Sequence, residues 1–204
     1  MRFQGADMPI ETFIALSTFA FVSSMTPGPN NIMLMASGVN FGFRRTIPHM
    51  LGVCVGFMVL IMAVGLGLGT LLTIFPWLHT ALKIAGVGYL CYLAWKIASS
   101  RTVATADGSA KPLTFLQAAA FQWVNPKAWV ASVSGVAVYT TIEAPFLSML
   151  IVVFVFSLVS VPSVTAWTAF GQMLRQFLSD PVRLKWFNIS MGILLAFSIW
   201  PMLR

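Results

Sequence analysis

The chain has 204 residues, 58% of them hydrophobic and 8% charged, with a net charge of +7. An average soluble domain carries about 25% charged residues, so this composition cannot coat a water-facing surface and excludes an ordinary soluble fold. The basic excess forms no basic run and no nucleic-acid motif; its charges fall in short stretches between apolar runs, which excludes a nucleic-acid partner and points to orientation in a lipid bilayer.

At the N-terminus, Arg2 is offset by Asp7 and Glu11, and no small-residue cleavage site follows. The first apolar run therefore reads as a retained segment rather than a cleaved signal. Met8 would serve as an alternative start and leaves every later run intact.

A helix crossing a bilayer needs about twenty largely apolar residues. Six runs qualify, at 10–37, 47–74, 77–99, 113–139, 145–170 and 185–203. Pro48, Pro76, Pro112 and Pro145 fall in or just before the opening residues of a run, where the first-turn N–H groups have no intrahelical partner to lose. The predicted fold is all-α and polytopic, a single transmembrane domain over 1–204.

Between the runs, Arg44 and Arg45, then Lys96, Arg101 and Lys111, then Arg175, Arg183 and Lys185 mark every second loop. The other loops, at 75–77 and 140–144, carry no Lys or Arg. The positive-inside rule makes the basic loops cytoplasmic and places both termini outside. A polar stretch at 99–111, with Asp107-Gly108 as a turn signal, divides the chain into halves of about 1–105 and 106–204. Three spans in each half force the second half to be inverted relative to the first, which is a transporter plan.

The first span is interrupted by Thr26-Pro27-Gly28-Pro29-Asn30-Asn31 and the fourth by Asn125-Pro126-Lys127. Proline removes N–H donors and glycine lowers helix propensity. Backbone freed in this way cannot face lipid and must be buried in protein or line a wet cavity. Corresponding breaks in two halves point to a substrate site. The half-helix after each break offers free N–H groups and a partial positive charge suited to a carboxylate. Asn30, Asn31 and Asn125 add amide donors and acceptors.

Lys127 lies near the middle of its span, where it is either a counter-ion for a substrate carboxylate, a proton carrier, or a long stem snorkelling to an interface. Lys83 and Pro162 read as a snorkelling side chain and a packing kink. Gly52, Gly56, Ala63, Gly65, Gly67 and Gly69 suit close helix packing, and Trp77, Trp186 and Trp200 an interfacial belt. Cys54 and Cys91 read as small buried hydrophobes. His49 and His79 are isolated, and no nucleophile–base pair, metal cluster or phosphate loop is present, so neither a cofactor nor catalysis is expected.

These residues carry a family resemblance. Thr26-Pro27-Gly28-Pro29-Asn30, the third-span stretch from Lys83 to Leu90 with Leu93-Ala94-Trp95-Lys96, and Asn125-Pro126-Lys127-Ala128 resemble, in order and spacing, the lysine exporter family of LysE/RhtB-type amino-acid translocators. Trp95-Lys96-Ile97-Ala98 and Phe121-Gln122-Trp123-Val124-Asn125 look most like its cysteine and O-acetylserine exporter branch. The resemblance implies an inner-membrane exporter of amino acids or close derivatives, driven by the proton gradient, with no prosthetic group. No Asp or Glu lies well inside a span; Asp7, Glu11 and Glu143 sit at the edges. Protons would then move through Lys127, the substrate's own ionisation or an edge carboxylate.

The expected site is therefore Thr26, Pro27, Gly28, Pro29, Asn30, Asn31, Asn125, Pro126 and Lys127. The substrate carboxylate is expected on the half-helix N-termini. Its ammonium is expected on carbonyls around Ser24 and Met25 or on the face of Trp123 or Trp167. The alternatives are an accessory membrane subunit without a substrate and an intramembrane enzyme. The glycine-rich spans could pack within one chain or between two copies.

Overall fold

In the computed structural model, residues 8–100 and 111–200 are described, and every regular element among them is helical. Nine α-helices follow in chain order: α1 (Ile10–Met25), α2 (Pro29–Phe41), α3 (Phe43–Ala63), α4 (Gly69–Ile74), α5 (Pro76–Ala98), α6 (Phe115–Phe121), α7 (Pro126–Tyr139), α8 (Pro145–Phe177) and α9 (Pro181–Phe197). The polar linker with Asp107-Gly108, Arg101, the terminal charges Arg2, Asp7 and Arg204, and the end of the sixth predicted span lie outside the described residues, as does the side chain of His79.

Proline opens α2, α5, α7, α8 and α9, each at a first-turn position. Pro76 and Pro145 act as expected. Pro48 instead lies inside α3, because Gly42 turns the chain with φ 81° and α3 begins at once behind it. Pro112 precedes α6, whose start is set by a reciprocal capping box of Thr114 and Gln117.

Among the described residues, three stretches are long and apolar enough to cross a membrane by length and composition: Phe43–Leu68, Pro76–Ala98 and Pro145–Phe177, with Ile10–Met25 as a shorter apolar helix. At 1.5 Å per residue, α8 is about 50 Å long and exceeds a hydrocarbon core of about 30 Å. Its last turn thus carries Arg175. Arg44, Arg45, Lys96, Arg183 and Lys185 likewise sit in helical turns rather than loops. A charge at the interface does not stop a helix, because its long stem reaches water while the backbone ladder continues.

Both predicted interruptions are true breaks. Residues 26–28 separate α1 from α2, and a 3-10 turn at Gln122–Val124 followed by Asn125 separates α6 from α7. Residues 31–40 of α2 are buried without exception, so α2 is the central helix of the fold. It packs most extensively on α8, where Gly38 meets the Thr168 carbonyl and Gly171 meets Met35; any side chain at either glycine would collide with backbone. Gly52 and Gly56 bring α3 onto Phe115 and Ala119 of α6, and Gly192 brings α9 onto Ala94 of α5.

The glycine row of the second span has two roles rather than one. Gly52, Gly56 and Gly65 are packed, whereas Gly67 has φ 103° inside a π-helical turn (Val64–Leu68) and nothing close by, as has Gly69. Gly67 is a kink. Cys54 is buried as expected, but Cys91 is exposed on the outer face of α5. Trp77, Trp186 and Trp200 are exposed near helix ends, and many large apolar side chains face outward, the expected surface for lipid.

Candidate functional site

The freed backbone of the first break is held by side chains. Asn31 Nδ2 donates to the carbonyls of Ser24 (2.8 Å) and Thr26 (2.9 Å), tying the start of α2 back to the end of α1. Ser163 Oγ, from α8, also donates to Ser24 O at 2.8 Å. Lys127 Nζ, from α7, donates to Thr26 O at 2.6 Å and Thr26 Oγ1 at 2.8 Å. Gly28 is the N-cap of α2 in an extended conformation and offers no side chain to the first-turn N–H groups of that helix.

The second break is satisfied mainly by its own span. Gln122 Nε2 donates to Ala118 O (3.0 Å), Trp129 Nε1 donates to Trp123 O (2.8 Å), and Asn125 Oδ1 accepts from the Lys127 N–H (3.2 Å) as the N-cap of α7. A reciprocal amide pair joins the two breaks: Asn30 Nδ2 donates to Gln122 Oε1 at 2.9 Å, and Gln122 Nε2 donates to Asn30 Oδ1 at 3.0 Å.

Both breaks line one cavity of ≈ 60 Å³, with Gly28, Asn30, Asn31, Asn125 and Lys127 in its wall beside apolar Val53, Phe57 and Val164. Thr26 reaches the same place through Lys127, and Pro29 and Pro126 hold the first position of α2 and α7. Pro27 is exposed in the connection. The expected carbonyl site for an ammonium is occupied from within: Ser24 O by Asn31 and Ser163, Thr26 O by Asn31 and Lys127. Trp123 and Trp167 lie outside the lining.

Sequence reasoning missed Gln122, Ser160 and Ser163, which lie at or beside this place. Gln122 is fully buried in an apolar run just ahead of Asn125-Pro126, and Ser160 and Ser163 flank Pro162 on α8, so polarity beside a break was the available signal. Pro162 itself leaves α8 continuous.

The chemistry of this place is that of binding. The N-termini of α2 and α7 supply positive dipole ends and the C-terminus of α1 supplies carbonyls, a complement for a small zwitterion. Among the described residues no group of His, Cys, Asp or Glu is arranged to hold a metal. A second cavity of ≈ 270 Å³ lies at the other end of α2, lined in part by Ser37, Asn40, His49, Leu93 and Lys96. There Asn40 and Asn188 form another reciprocal amide pair (2.9 and 3.2 Å) between α2 and α9.

Residues 21–198 match the family described as LysE type translocator. The cysteine/O-acetylserine efflux proteins of Escherichia coli (strain K12) and of Shigella flexneri are each 31% identical over 186 residues, 90% of this chain and 93% of theirs. The cysteine/O-acetylserine efflux protein of Escherichia coli O6:K15:H31 (strain 536 / UPEC) is 30% identical with the same coverage. No solved structure matches the chain. The family match takes in both breaks and all three long apolar stretches. The chain is thus an integral membrane protein that belongs to the LysE-type translocator family, whose members are transporters and not enzymes.

Proposed function

We propose that this protein exports small neutral amino acids or close derivatives, of the cysteine, O-acetylserine, threonine or homoserine type, across the bacterial inner membrane, driven by the proton gradient. The observation that carries the reading is the convergence of two broken helices from opposite halves of the chain on one cavity, into which both bring polar side chains, in a member of a translocator family. The family relatives' efflux of cysteine and O-acetylserine supports the substrate class.

In this reading six spans form two inverted three-helix repeats with both termini outside. The packing supports it by its exchange pattern. The first broken helix (α1, α2) packs on α8 of the second half, the second broken helix (α6, α7) packs on α3 of the first, and α5 packs on α9. Two repeats related by a two-fold axis in the membrane plane would produce this exchange. Alternating access follows from one repeat rocking against the other around the cavity. The substrate carboxylate rests on the first-turn N–H groups of α2 at Asn30 and Asn31, near Asn125 at the start of α7.

The test is flux of labelled O-acetylserine, cysteine, threonine, homoserine and a basic amino acid in proteoliposomes under an imposed pH gradient. Saturable flux of a small neutral substrate that collapses with the gradient is expected. Flux that ignores the gradient would overturn proton coupling. No flux of any compound from folded, inserted protein would overturn export and favour an accessory subunit.

A further inference from the structure

Lys127 stands in the first turn of α7, where its charge meets the positive end of its own helix. Its side chain leaves that end and crosses to the other break. There the ammonium donates at 2.6 Å to the Thr26 carbonyl and at 2.8 Å to the Thr26 hydroxyl, at the C-terminal, carbonyl-rich end of α1. That end is the natural seat for a cation in this site. The stem passes directly over the backbone of the first break, so that a Cβ on Gly28 would lie 2.7 Å from Lys127 Cδ and 3.2 Å from Nζ. With Lys127 seated this way, only ≈ 60 Å³ of the cavity is open. A primary ammonium therefore already occupies the seat that an amino acid's ammonium would need.

We propose that Lys127 is a tethered stand-in for the substrate's ammonium, holding Thr26 when the site is empty and displaced from it when substrate binds. The proposal rests on the export reading for the identity of the displacing group. It differs from a counter-ion role in sign: a counter-ion aids binding, whereas a stand-in competes with it. It also gives the empty transporter a reason to reorient. The carbonyls of the break keep a cationic partner without substrate, so net export can complete its cycle.

The experiment measures binding of ethylammonium, a primary amine without a carboxylate, to purified full-length protein in detergent, for wild type, Lys127→Met and Gly28→Ala. The alanine keeps the lysine charge but pushes its stem off the break. Ethylammonium is expected to bind at least about tenfold tighter to both variants, and tetramethylammonium, which has no N–H to donate, is expected to gain nothing. In proteoliposomes, Lys127→Met is expected to lower net O-acetylserine efflux at least about tenfold more than it lowers exchange. Unchanged or weaker ethylammonium binding to Lys127→Met overturns the proposal, as does a loss of exchange and net efflux in equal measure. Absence of O-acetylserine flux in wild type would instead sink the export reading, and the amine measurement would still report on the seat at Thr26.

Discussion

The two breaks solve the same problem in different ways. At the first, the carbonyls of Ser24 and Thr26 each accept from two donors, and these come from α2, α7 and α8. At the second, the freed backbone groups find their partners within residues 118–129: Gln122 back to Ala118, Trp129 back to Trp123, Asn125 forward to Lys127. Apart from the Asn30–Gln122 amide pair, the second break is a self-contained joint, while the first is held by both halves of the chain. Any motion of one half against the other must therefore exchange partners at the first break. The second can travel as a unit.

The sharpest way to break this contrast is Asn31→Ala. It removes two hydrogen bonds at once from a side chain that is 6% exposed. At about 1 kcal/mol for each bond, plus the emptied space, the cost is about 2–3 kcal/mol. The thermal midpoint in detergent is expected to drop accordingly, and flux with it. Trp129→Phe, at the second break, removes one bond and is expected to cost about 1–2 kcal/mol with flux nearly unchanged. Equal losses of flux in the two variants would abolish the distinction between the breaks.

The amide pair that joins them allows a measurement of coupling. Asn30→Leu and Gln122→Leu each leave the other amide with an unpaired, part-buried group, whereas the double variant leaves neither amide. The Gln122 bond to the Ala118 carbonyl is lost in both variants that change Gln122 and cancels in the cycle. Each single change is expected to cost about 2 kcal/mol, and the double less than the sum by about 1–2 kcal/mol, read as a double-mutant cycle on unfolding in detergent. An additive result would mean that the two breaks are held independently.

How much of this was legible beforehand depends on the range of the interaction. Thr26-Pro27-Gly28-Pro29 and Asn125-Pro126 announce the breaks because the loss of N–H donors is a local property of the residues. The partners were not legible. Asn30 and Gln122 are 92 positions apart, and Lys127 reaches Thr26 across 101. Nor does local pattern separate a packing glycine from a kink: Gly56 is set against the backbone of Ala119, whereas Gly67 has φ 103° and nothing opposite it. The basic residues marked the ends of spans but not the ends of helices, since Arg44, Arg175 and Arg183 all lie in continuous turns. Cys91 was misplaced because apolar neighbours in a membrane helix face lipid as often as protein.

Asn125 offers the finest test, because it has two separable roles. As the N-cap of α7 it accepts from the Lys127 N–H, and as a cavity residue it is 1% exposed beside Asn30 and Asn31. Asn125→Ala loses the cap and is expected to lower stability by about 1 kcal/mol, and Asn125→Ser, a comparable cap, is expected to restore most of it. Both variants are expected to lose flux, because neither alanine nor serine carries the amide that lines the cavity. Recovery of flux together with stability in Asn125→Ser would show that the residue acts on transport only by shaping the start of α7. Recovery of stability alone would show that the amide group itself meets the substrate. The self-contained joint would then contribute a contact to the site, as well as a fixed edge against which the first break exchanges its partners.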